Sequence, residues 1–139
     1  MKYKHVHRQI LAILETNGLS WAETSIGELH LRFSSVAITI QLVDWGAQTL
    51  IHISSHVLTG VTAGTKRILI ELNDLNARSH FGRWVYYKDS RAIAIEYDLL
   101  GDHLQENELM TALAAVARLA DYHDDALQQE FGGARAFEG

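Results

Sequence analysis

The amino-acid sequence predicts an α+β fold: a single domain in which helices pack on one antiparallel sheet of about five strands. Three observations carry this. Strict alternation of apolar and polar residues marks segments between Glu28 and Val57, and again between Trp84 and Tyr97. Apolar residues at helical spacing open the chain, separate the two strand groups and close the chain. The order is therefore helix-strand-strand-strand-helix-strand-strand-helix.

The first helix is expected over about Lys4 to Glu15, because Tyr3, Val6, Ile10, Ile13 and Leu14 share one helical face. Asn17 and Gly18, which both tolerate positive φ, close it. In Glu28–Ser35, Leu29, Leu31 and Phe33 lie on one side, His30 and Arg32 on the other. In Ala37–Asp44, Ile38, Ile40 and Leu42 alternate with Thr39 and Gln41. In Gln48–Val57, Ile51 and Ile53 oppose His52, Ser54 and His56. Such alternation needs a sheet with one buried face, as in an antiparallel meander. Asp44-Trp45-Gly46 is the expected hairpin turn between the second and third strands. Ser34-Ser35 reads either as a turn or as a bulge inside one long strand.

Thr65 is the expected cap of the second helix, whose apolar face is Ile68, Leu69, Leu72, Leu75 and Asn76. Phe81-Gly82 turns the chain. Trp84–Tyr87 and Arg91–Tyr97 then read as a hairpin around Lys88-Asp89-Ser90. The last helix is expected from about Glu106 to Glu130, with Leu109, Leu113, Val116, Ala120 and Leu127 as its stripe. Each large aliphatic side chain contributes roughly 1.5–3 kcal/mol when buried. Gln105 is a poor cap for this helix, with Asp102 or Asn107 as alternatives.

The 139 residues suffice for one domain, expected over 1–133 with a short tail over 134–139. There is no cysteine. Disulfides and thiol catalysis are excluded, and a reducing cytoplasm fits. The N-terminus lacks the apolar run of a signal peptide, and no stretch reaches the ~20 apolar residues of a membrane span. Neither secretion nor a membrane partner is expected. The net charge of −5 sits in one place. Between Asp102 and Glu130 seven carboxylates face the single Arg118, whereas the rest of the chain is nearly neutral. The acidity belongs to one helix and reads as a solvated face.

Candidate chemistry is weak throughout. Gly60–Lys66 differs from a phosphate-binding loop in glycine spacing and in placing Thr before Lys. His52 and His56 share a strand face but stand about 13 Å apart, too far for one metal ion. His5 and His7 diverge on a helix. His123 beside Asp121, Asp124 and Asp125 offers at most a weak cation site. Asp44, Ser54, Ser55 and His56 supply triad residue types without a nucleophile elbow. Asp98 and Asp102 have nothing to converge them. Neither an enzyme activity nor a metal or other cofactor is expected. Trp84, Tyr86 and Tyr97 suit either the core or contact with a partner. The basic complement beside them, Arg83, Lys88 and Arg91, is thin for a nucleic-acid surface, so no nucleic-acid partner is expected.

From Ile68 to Gly133 several motifs follow in order. Asn73 and Asn76 lie in the second helix, and Phe81-Gly82-Arg83 form the corner after it. Asp98-Leu99-Leu100 lead into the acidic helix, which Phe131-Gly132-Gly133 end. This stretch resembles the YbjN family, whose fold is shared with type III secretion chaperones. The resemblance covers the last half of the chain by motif and all of it by element order. It implies a type III secretion chaperone-like fold and a bacterial protein that holds other proteins, often as a homodimer. The motif residues then read as fold markers, with Arg83 pairing either with Asp98 or with carboxylates of the last helix. The expected function is a non-enzymatic protein-interaction or chaperone-like module that binds a partner polypeptide. YbjN relatives are also described as regulators of signalling. The alternative is thus a sensory domain holding a small ligand between sheet and helix, beside Trp84, Tyr86 and Ile95.

Overall fold

Residues 3–135 are described in a computed structural model of the chain; of the expected tail, 136–139 lie outside them. The elements are α1 (Lys4–Thr16), β1 (Trp21–Glu23), β2 (Leu29–Phe33), β3 (Val36–Trp45), β4 (Gln48–Thr59) and α2 (Thr65–Arg78). They continue with β5 (Arg83–Tyr87), β6 (Ala92–Leu100), α3 (Glu106–Phe131) and β7 (Ala134–Arg135). The strands run β1-β2-β3-β4-β6-β5 across one sheet, with β7 also on β4. Every pairing is antiparallel.

The sheet has seven strands where about five were expected. The additions, β1 and β7, are three and two residues long. Neither is long enough to show alternation in the sequence. β7 pairs with Leu58 and Thr59 of β4.

Ser34-Ser35 is a turn, since Phe33 pairs with Val36. Ser34 takes a φ of 57°, which suits the twist of a tight hairpin. The next turn falls at Gly46-Ala47, not Asp44–Gly46, because Trp45 still pairs with Gln48. Gly64, not Thr65, holds the cap position of α2. Leu69, expected on the buried face of α2, is 51 % exposed; one residue past Ile68, it points 100° away from the core. Gln105 does cap α3, helped by Glu108, whose Oε1 accepts from the Gln105 amide at 2.8 Å. Asp102 is engaged elsewhere, accepting from the Thr49 amide at 2.9 Å.

One apolar cluster joins the sheet to all three helices. Ile38, Ile40, Ile51, Ile53, Ile93 and Ile95 are its strand contribution, all almost fully buried. α3 lies across β2, β3, β4 and β6 on this side. α1 packs beside it, and α2 covers β5. The helices thus occupy one face and leave the other bare.

Two contacts close the fold. Asn76 of α2 donates Nδ2 to the Trp84 carbonyl at 3.0 Å and accepts from the Trp84 amide at 2.7 Å. It pairs with the edge strand β5 as a neighbouring strand would. At the other end, the Phe131 carbonyl accepts from the Thr62 and Ala63 amides at 2.8 and 3.1 Å. Gly133 has a φ of 86°, and a Cβ there would lie 2.6 Å from the Thr59 carbonyl oxygen. Only glycine meets both demands.

Candidate functional site

The bare face is built by the strand residues that alternate out of the core. Val43, Leu50 and Leu100 stand side by side on β3, β4 and β6. Trp45 follows Val43 on the same side of β3. Val43, Trp45 and Leu100 are 41 %, 61 % and 48 % exposed. An apolar patch therefore lies in water at one end of the sheet. Grouped apolar exposure, unlike scattered single residues, makes this the candidate contact surface.

Two residues further along the strands the patch gives way to charge. His52 of β4 lies opposite Asp98 of β6, and Arg83 of β5 lies opposite Glu96. His52 Nδ1 is 2.6 Å from Asp98 Oδ1, and its Nε2 is 3.8 Å from Glu96 Oε2. Arg83 reaches Asp98 at 2.5 Å and Glu96 at 3.1 Å. Two cationic side chains thus each bridge the same two carboxylates. The Tyr87 hydroxyl also donates to Glu96. Glu96 is only 3 % exposed although it faces the bare side. A charge so buried must be paired.

The pairing sets the proton affinities. Glu96 acts foremost to hold His52 protonated above its ordinary 6.5, against the burial that opposes it; Asp98 adds to this. Glu96 is the farther carboxylate but the more buried one, so its charge is less screened. Burial alone would raise the Glu96 carboxyl. Bonds from His52 and Tyr87, with the charges of His52 and Arg83, outweigh it and leave the carboxyl below its ordinary range. Burial, then the bond to Glu96, pushes the Tyr87 hydroxyl up to about 12.

The other residues singled out by sequence are dispersed. Trp84, one of the three aromatics offered for partner contact, is a core residue at 4 % exposure. Its position opposite Ile95 turns it toward the helices, where it meets His123 edge-on with ring centroids 5.6 Å apart. Tyr86 and Tyr97 are half-buried on the same side, and Tyr97 stacks with the exposed Phe81. Arg83 and Asp98 join in the charged ring, whereas Leu99 turns inward beside its exposed neighbour Leu100. Asn73 is exposed on α2. Ser54 and Ser55 point to opposite faces, and His56 stacks on Tyr87 instead of meeting either. Among the described residues no group of three metal-ligating side chains converges.

Trp45, Val43 and Leu50 are the residues that sequence reasoning missed. Their signal is an apolar doublet in each of three strands, Leu42-Val43, Leu50-Ile51 and Leu99-Leu100. One member of each pair must face away from the core.

The model of the family of T3SS (YopN, CesT) and YbjN peptide-binding chaperones, TY-Chap1, matches residues 4–139. The chain belongs to that family. Solved structures agree in fold with this TY-Chap1 member. A chain of the ExsC–ExsE complex superposes with a TM-score of 0.66 at 17 % identity, covering 87 % of this chain and 92 % of the other. A chain of the HopA1–SchA chaperone–effector complex gives 0.63 at 11 % identity, with 86 % and 94 % covered. YbjN from E. coli gives 0.62 at 14 % identity, with 89 % and 93 % covered. The expected type III secretion chaperone-like fold is therefore the fold of this domain. No curated protein matches the chain.

Proposed function

We propose that this TY-Chap1 domain holds an extended segment of a partner polypeptide on its bare sheet face and carries out no chemical reaction. The exposed Val43, Trp45 and Leu100, in one row with the half-buried Leu50, carry this reading. An aromatic flanked by aliphatic side chains supplies apolar pockets, and the neighbouring ring of charge fixes register. The family is one of peptide-binding chaperones, and two fold neighbours come from complexes with a bound protein. Of the side chains offered for a small-ligand cavity, Trp84 and Ile95 are packed in the core and Tyr86 is half-buried against it. The same reading puts the protein in the bacterial cytoplasm, a compartment that suits a chain without cysteine. Among the described residues no helix is long and apolar enough to cross a membrane.

A homodimer belongs to the same reading. Leu69 and Ile70 of α2 are 51 % and 55 % exposed and line a shallow groove with Asn73. They lie on the helical layer, away from the partner face, so both contacts can form together.

The test is affinity. Partners captured on the immobilised protein are identified by mass spectrometry and titrated against Trp45→Ala. Loss of a central aromatic contact costs about 2 kcal/mol, close to a 30-fold weaker Kd. Unchanged affinity with an unchanged fold would reject the sheet face as the site.

A further inference from the structure

The ladder between β3 and β4 ends at Thr39–Ser54, although β3 begins at Val36. On the same edge of β4, β7 pairs only with Leu58 and Thr59. The edge from Ser55 to Val57 has no ladder partner there among the described residues. The strands part at this point and leave a cleft of about 370 Å³ under the C-terminal half of α3. That volume is enough for a small ligand or one long side chain.

Its walls have a definite chemistry. Asp121, Asp124 and Asp125 line it from α3, and Arg32 and Arg135 from the strands. Arg135 pairs with Asp125. Arg32 turns to the Ser35 carbonyl, which accepts at 3.0 Å. Asp121 and Asp124 have no ion-pair partner among the described residues. One negative charge is left over. At the base lies Ser55, 4 % exposed, with a hydroxyl that has no hydrogen-bond partner among the described residues. That hydroxyl opens into the cleft, where it can accept a hydrogen bond from an occupant. Burial disfavours the charged form of Asp124 and raises its carboxyl above the ordinary value, so a neighbouring cation would offset that penalty. The carboxylates do not converge as metal ligands. Two carboxylates three residues apart on a helix face instead suit a planar, multiply donating cation.

We propose that this cleft is a binding site for a guanidinium group. The group pairs with Asp121 and Asp124 and donates to the Ser55 hydroxyl. Arg135 at the mouth shows the same pairing made within the chain. The site lies on the helix side of the sheet, so it does not depend on the partner face described above.

The full-length protein is titrated with agmatine and with the blocked peptide acetyl-Gly-Arg-Gly-amide, followed by amide NMR shifts. The same peptide with neutral citrulline in place of arginine is the control. Saturable shifts are expected at Ser35–Ala37, Ser55–Val57 and Ala120–Asp125. Citrulline should bind at least about tenfold more weakly, because it forfeits a charge-assisted pair. Asp124→Asn should weaken both cationic probes by a similar factor, whereas Trp45→Ala should change neither. Binding of agmatine alone assigns a free small cation, and binding of both assigns an arginine side chain as well. Equal binding of citrulline, shifts confined to other surfaces, or no saturable shift at millimolar concentration would overturn the site. Binding that appears only after deletion of residues 136–139 would assign the cleft to the chain's own end and overturn it too.

Discussion

His52 is the side chain on which the charged ring turns. With His52 protonated, two positive and two negative charges share the ring; without that proton, one negative charge is uncompensated. Its raised proton affinity stabilises the fold fully below its unfolded value near 6.5. That contribution fades as pH rises through the higher folded value. Glu96 works in the opposite sense, since its lowered value stabilises above the ordinary 4.5 and fades as pH falls below it. The ring should therefore hold best between pH 4.5 and 6.5. Urea denaturation across pH 4 to 9 should show stability declining on the alkaline side, with His52→Gln flattening that decline. A wild-type curve with no alkaline decline attributable to His52 would contradict the geometry. Of this ring only the Arg83–Asp98 pair was among the expectations; the rest is hidden because its members lie 2, 13 and more positions apart and meet only through register.

At the scale of elements, sequence pattern was informative wherever length gave it room. β2, β3, β4, β6 and α3 each span enough residues for a period to repeat. β1 and β7 do not, and their pairing is decided by neighbours already in place. The turn lies at Gly46-Ala47, one residue beyond the expected Asp44–Gly46, because Trp45 beside the glycine still pairs with Gln48. Trp45 is thereby an exposed strand residue at the turn end of the proposed partner face. Asn76 shows the reverse case. In sequence it is only a fold marker, yet its side-chain amide reaches Trp84 of β5, eight residues away. Asn76→Ala leaves a half-buried amide and carbonyl of Trp84 without partners. The expected loss is about 2 kcal/mol in thermal or chemical denaturation, while Asn73→Ala on the exposed side of α2 should change little.

For the whole molecule, the division of labour is between two faces. One is sealed by three helices over a continuous apolar cluster. The other carries greasy and charged rows in water. A protein built this way can present its sheet without unfolding, because the core does not depend on that side. If α2 joins two copies, light scattering should report twice the 15.6 kDa chain mass, and Ile70→Glu should return it to one. A wild-type mass of one chain would reject the dimer. The overall architecture was legible because one-sided alternation requires one-sided cover. Where the bare face would turn apolar was not, since that depends on which apolar doublets align across strands.

The skipped pairing of β4 with β6 has a consequence for how the molecule is made. β1 to β4 follow one another as a simple meander, so each zips onto its predecessor across a short loop. β4 must then wait until α2 and β5 have been synthesised before β6 arrives at its free edge. Until then a twelve-residue strand stands half-paired, which makes this single closure the slow and aggregation-exposed step of assembly.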